Sequence, residues 1–157
     1  MAVPPQISGF LSGRGVSFDV FTHAESFTAV AEAKTPGIEA GEVAKVVVVH
    51  YQDGMALLVL PARSHADMKA VREAPGDHHV RLATENEMSR DLPNYAPGTV
   101  PPFGELVGAP LYLDAHLAEH ETVVFGAGTH TDSIRMRMSD LRTLGPHTIV
   151  EVCQTAG

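Results

Sequence analysis

Two apolar runs separated by three turn residues constrain this chain more than any other feature. KVVVVHY, residues 45–51, and MALLVLP, residues 55–61, flank Gln52, Asp53 and Gly54. β-Branched residues suit a pleated backbone, a continuous apolar run suits burial on both faces, and an Asp-Gly turn fixes hairpin register. The chain is therefore expected to build a sheet around a buried hairpin. Within GEVAKVVVVHY, residues 41–51, Lys45 stands directly before four valines, in a chain with three lysines against eight arginines. Two readings of it stand at this point. Its stem covers apolar neighbours while its charge stays in water, or its compact cation serves a pocket.

Other local signals surround the hairpin. After a short leader, residues 1–15, VSFDVFTH (16–23) alternates like a strand, and AESFTAVAEAK (24–34) reads as a helix stopped by Pro36 and Gly37. Ser64 opens SHADMKAVREA, with Asp67 at capping-box spacing, so a helix is expected there. VRLA (80–83) reads as a short strand, and Thr84 with Glu87 repeats the capping-box spacing for a helix of about two turns. Residues 92–110 hold five prolines and three glycines, which predicts a long ordered loop without regular helix or central strand. LYLD (111–114), TVVFGAG (122–128), SIRMRM (133–138) and the closing HTIVEV (147–152) read as strands, and Ser139 is placed to cap a short helix before Gly145 and Pro146. The expected class is α/β or α+β: one domain over residues 1–157, with a mixed sheet and helices packed around it.

Composition narrows the function. A chain of 157 residues, 44% hydrophobic, supports one ordinary core. No apolar stretch approaches the roughly 18 to 20 residues that span a bilayer, and the start lacks a basic region followed by an apolar one, so a cytoplasmic protein without membrane partners is expected. The single Cys153 has no second cysteine for a disulfide or a zinc site. A net charge of −8 argues against coating a nucleic-acid backbone such as DNA, while leaving recognition of one nucleotide end open.

Several residues are candidates for chemistry. In GTVPP, Gly98 lets backbone amides approach a ligand, and Pro101 and Pro102 fix the chain, so Gly98, Thr99, Val100, Pro101 and Pro102 form a candidate binding loop or, equally, a rigid crossover. GAGTH follows an apolar strand, placing Gly128, Thr129 and His130 where a strand end offers donors to a substrate or simply turns. His23, after Thr22 at a predicted strand end, is a candidate acid, base or polar contact. His116 and His120 in HLAEH have i, i+4 spacing, but no third ligand and no HExxH accompany them, so a metal hydrolase ranks last and no metal is expected. His78 and His79 read as a solvated loop pair. P-loop, GxGxxG and GxSxG patterns are absent, and no cofactor is expected.

The order of these pieces is more specific than any one of them. AK before a valine strand, then GTVPPFG, LYLD, FGAGTH and SDLRTLGP resembles the YbaK/prolyl-tRNA synthetase editing-domain family from about residue 18 to the C-terminus. The resemblance implies a barrel-like mixed sheet surrounded by helices. It also implies a freestanding trans-editing aminoacyl-tRNA deacylase, which hydrolyses the ester of tRNA-Pro, or a related tRNA, carrying a small wrong amino acid. Its partners would be the aminoacylated 3' acceptor end and a synthetase. Lys45 falls at the family's strand-borne lysine and would hold the substrate and stabilise negative charge, and GTVPP fits the family's GxxxP loop and would line the aminoacyl pocket. Gly128, Thr129, His130 and His23 would complete that pocket. The alternative from another class is a noncatalytic regulatory module of the same fold, which binds an amino acid, a nucleotide end or a protein.

Overall fold

The structure, a computed structural model, describes residues 5–22, 42–51, 54–62, 65–66, 80–92, 95, 100–126, 132–151 and 153–154. The expected hairpin is present: β2 (Ala44–Tyr51) pairs antiparallel with β3 (Gly54–Pro61), with Lys45 opposite Leu60 and Tyr51 opposite Gly54. Gly54 has φ 138°, a conformation that a side chain would strain, at the point where the second strand begins. Around this hairpin a five-stranded sheet runs in the order β5 (Arg81–Leu82), β2, β3, β6 (Leu111–Asp114), β9 (Thr148–Val150). β5 is antiparallel to β2, whereas β6 is parallel to β3 and β9 is parallel to β6, so the sheet is mixed.

A second sheet of three antiparallel strands has the order β1 (Phe18–Thr22), β8 (Asp132–Arg137), β7 (Thr122–Gly126). An isolated parallel bridge from Val43 to Val124 joins it to the start of β2. β4 (His65–Ala66) and β10 (Cys153–Gln154) form a third, two-stranded pair. The described strands thus form three sheets, two of them joined by that bridge, and no closed barrel, within a mixed α+β architecture. Five helices accompany them among the described residues: α1 (Pro5–Gly13), α2 (Glu85–Asp91), α3 (Gly104–Val107), α4 (Ala115–Ala118) and α5 (Met138–Thr143).

The valine run is buried on both sides, as a continuous apolar strand requires. Ala44, Val46 and Val48 join the main core with Leu57, Val59, Leu111 and Leu113. Val47 and Val49 join a second cluster with Ala56, Leu58, Leu60 and Val80 on the other face. At the centre of the main core Phe103 meets Phe125 edge-on at 5.3 Å and 89°, and Phe10 from α1 lies 5.3 Å from Phe103. Residues 1–15, read above as a leader, contain α1, whose Ile7 and Leu11 fall on one helical face and are wholly buried.

Four local expectations change. His65 and Ala66 are paired as a strand with Cys153 and Gln154, so the helix expected from Ser64 does not begin there; residues 67–79 lie outside the described set. Within 92–110, one turn of helix forms at α3, because the segment between Pro102 and Pro110 has no proline and Gly108, at φ 81°, closes the turn in the left-handed region. α5 starts at Met138 with Arg137 in the cap position, so Ser139 lies inside the helix and supplies no cap. α4 is a single turn capped by Asp114, which accepts from the N–H groups of His116 and Leu117 at 3.0 and 3.1 Å. His120 falls beyond that turn, so the two histidines of HLAEH do not share one continuous helix. The helix expected over 24–34 lies outside the described residues.

Candidate functional site

Strand alternation decides where Lys45 points. Ala44, Val46 and Val48 face the main core, so Lys45 lies on the opposite face with Val43, Val47 and Val49. It is partly buried, and no carboxylate pairs with it among the described residues. On β7, Val123 and Phe125 enter the main core, which leaves Thr122, Val124 and Gly126 on the face that Val43 bridges. Counting two residues along this parallel register brings Lys45 level with Gly126, where the GAGTH segment begins.

The same end of the three-stranded sheet carries the other chosen segments. β1 ends at Thr22 opposite Asp132, and β7 ends at Gly126 opposite Ser133. β1 and β7 thus end on the same side of the sheet with β8 between them, and the end of β7, at Gly126, is the one level with Lys45. His23, Gly128, Thr129 and His130 themselves lie outside the described residues, as do Gly98 and Thr99. Of the GTVPP loop, Val100, Pro101 and Pro102 are buried, and Val100 packs in the main core with Leu92 and Phe103. This half of the loop is held by packing.

Behind Lys45 is a polar network that sequence reasoning did not single out. Glu42, at 1% exposure, accepts a hydrogen bond from the Thr122 hydroxyl and lies 3.2 Å from Nη2 of Arg135. Three strands are thereby tied together just before the lysine: the entry to β2, the start of β7 and the middle of β8. The available signal was SIRMRM, whose alternation sends Ile134, Met136 and Met138 into the core and Ser133, Arg135 and Arg137 to the other face. At the far end of β7 an open groove of about 500 Å³ is lined in part by His120, Thr122, Arg137, Ser139 and Arg142.

Comparison with known proteins places this arrangement in a family. The aminoacyl-tRNA editing domain matches residues 23–144, most of the chain, and the chain belongs to that family. A solved protein proposed to be a trans-editing enzyme for prolyl tRNA synthetase is similar at 25% identity and a TM-score of 0.85, covering 98% of this chain and 99% of that one. The hypothetical protein APE2540 shares the fold at 21% identity and a TM-score of 0.84, with 95% and 99% covered. A protein from Marinobacter aquaeolei VT8, assigned to signal transduction, shares it at 16% identity and a TM-score of 0.74, with 97% of this chain but 31% of that one covered. No curated protein matches the chain. Among the described residues, no helix is long and apolar enough to cross a membrane.

Proposed function

We propose that residues 1–157 act as one trans-editing aminoacyl-tRNA deacylase that removes a small wrong amino acid from tRNA-Pro or a related tRNA. The observation that carries this reading is the position of Lys45: a partly buried lysine without a carboxylate partner among the described residues, level with Gly126 at the strand end where GAGTH begins. Membership of the editing-domain family and the likeness to a protein proposed to edit for prolyl tRNA synthetase support the substrate class.

The chemistry needs little more than positioning. Water, or the vicinal ribose hydroxyl followed by water, adds to the ester carbonyl, and the carbonyl oxygen becomes an oxyanion. Collapse breaks the bond to the ribose oxygen, which takes up a proton, releasing the amino acid and the tRNA. An ammonium fixed beside the carbonyl stabilises the oxyanion more than the neutral ester, which is the condition for accelerating the reaction. Lys45 fills that role in this reading. Gly98 to Pro102 shape the aminoacyl pocket, with His23, Gly128, Thr129 and His130 as further contacts.

The test is release of amino acid from tRNA charged separately with alanine, cysteine, serine, threonine and proline, by the wild-type protein and Lys45→Ala. Rapid release from one or two substrates is expected, with kcat lowered about 100- to 1,000-fold in the variant, the usual effect of removing one oxyanion partner. Absence of release from all five, with binding to the acceptor end retained, would instead identify a regulatory module of the same fold.

A further inference from the structure

We propose that the groove at the far end of β7, between α4 and α5, binds the phosphodiester backbone of the acceptor end of tRNA through Arg137 and Arg142. Identification of the nucleic acid as tRNA rests on the editing reading above; the anion site rests on the pairing of charges. Among the described residues, Arg14, Arg81, Arg90 and Arg135 are held by Glu105, Glu87, Asp91 and Glu42 respectively. Lys45, Arg137 and Arg142 have no such partner among those residues. In a chain of net charge −8, cations that its own carboxylates leave unneutralised are the ones available to a phosphate.

Two of those cations line one groove. Arg137 and Arg142 are exposed, and the groove of about 500 Å³ also offers His120 and the hydroxyl-bearing Ser139. Nε of Arg142 donates to Nε2 of His147 at 3.4 Å, a contact with a ring nitrogen and not with a carboxylate, so no anion compensates the guanidinium there. Glu119 and Glu121 line the same groove without pairing to either arginine. Their repulsion keeps phosphate binding weak, which suits a substrate that must be released after each turnover.

The groove also lies in the right relation to Lys45. Thr122, in its lining, is opposite Arg137 and shares its face of the sheet with Val124 and Gly126. Four residues of strand separate Thr122 from Gly126, roughly 13 Å at 3.3 Å per residue. Because the Val43–Val124 bridge sets Lys45 level with Gly126, the distance from groove to lysine matches roughly four stacked nucleotides at 3.4 Å each. In length, a strand whose last ester lies at Lys45 reaches Arg137 and Arg142 with its phosphates, passing over whatever covers the buried Val43 and Val124 between them.

The deciding experiment measures binding of a labelled, uncharged tRNA to the full chain across a range of salt concentrations. It compares the wild type, Arg137→Gln/Arg142→Gln and Arg137→Lys/Arg142→Lys. Loss of two phosphate contacts flattens the slope of log K against log salt by about 1.4 to 1.8, at 0.7 to 0.9 per contact. The expected result is that flattening in the glutamine variant and a near wild-type slope in the lysine variant. An unchanged slope in the glutamine variant overturns the proposal. So does weakening shared by both variants with the slope intact, which marks a structural defect. Hydrolysis by the wild type is scored separately: arginine-dependent binding without hydrolysis leaves the groove standing and removes the editing reading, whereas hydrolysis without arginine-dependent binding removes the groove alone.

Discussion

Glu42 is a buried carboxylate, costly to the fold unless it is compensated. A carboxylate at 1% exposure needs compensating partners, and among them Thr122 donates to it and Arg135 pairs with it across three strands. Removing one partner of a buried pair leaves an uncompensated charge, so Arg135→Met is expected to lower stability by about 3 kcal/mol, the low end for such losses because Arg135 is partly exposed. Glu42→Leu/Arg135→Met, which removes both charges, is expected to recover most of that loss. Urea denaturation midpoints of the two variants check this. A double variant as unstable as the single one would show that the network's shape, and not its charge, holds β2 in place. Since Lys45 follows three residues later, on the strand that Glu42 leads into, the single variant also disturbs the lysine.

At the scale of elements, α2 shows how local chemistry sets a boundary. The Thr84 hydroxyl accepts from the Glu87 N–H at 3.1 Å, and the Glu87 carboxylate accepts from the Thr84 N–H at 3.0 Å, the reciprocal capping box that the spacing predicts. Thr84→Ala is expected to cost about 1 kcal/mol, seen as faster amide exchange in α2. Hydrogen bonds from Arg81 and then from the Thr84 N–H hold the Glu87 carboxyl far below the usual carboxylate range. A depressed folded value stabilises the fold above the unfolded carboxylate value of about 4.3 and is lost as pH falls below it. Wild type is therefore expected to exceed Glu87→Gln in denaturation midpoint at pH 6, with the difference shrinking toward pH 3. Elements fixed by neighbours in sequence, such as this helix and the β2–β3 hairpin, were legible for that reason. The β4–β10 pair was not, because two residues find partners almost ninety positions away and leave no period in the sequence. α3 was hidden by the prolines around it. Its Gly104 is required by closeness: a Cβ there would lie 2.7 Å from the Ala109 carbonyl oxygen, so Gly104→Ala is expected to lower the thermal midpoint, and an unchanged midpoint would mean the turn shifts freely.

For the molecule as a whole, the site was half legible. Lys45 was visible as a cation before an apolar run, but its closeness to Gly126 depends on a parallel bridge between residues 43 and 124, which no local pattern encodes. The same is true of the arginine groove, since Arg137 and Arg142 acquire meaning only once the other arginines among the described residues are seen paired with carboxylates. Net charge then sets how such a molecule meets a polyanion. At −8 the chain as a whole repels a tRNA, and among the described residues attraction falls to the unpaired Lys45, Arg137 and Arg142. The body of the tRNA, beyond the acceptor stem, has little to gain by contact. On the editing reading, a minihelix containing only the acceptor stem and its 3' end is expected to be deacylated with kcat/KM within about fivefold of the whole tRNA, a difference of about 1 kcal/mol. Both should lose kcat/KM as salt rises, with similar slopes, because they present the same phosphates to the same cations. A minihelix weaker by about a hundredfold or more, roughly 2.7 kcal/mol, would place recognition on a part of the tRNA that the groove and Lys45 do not reach.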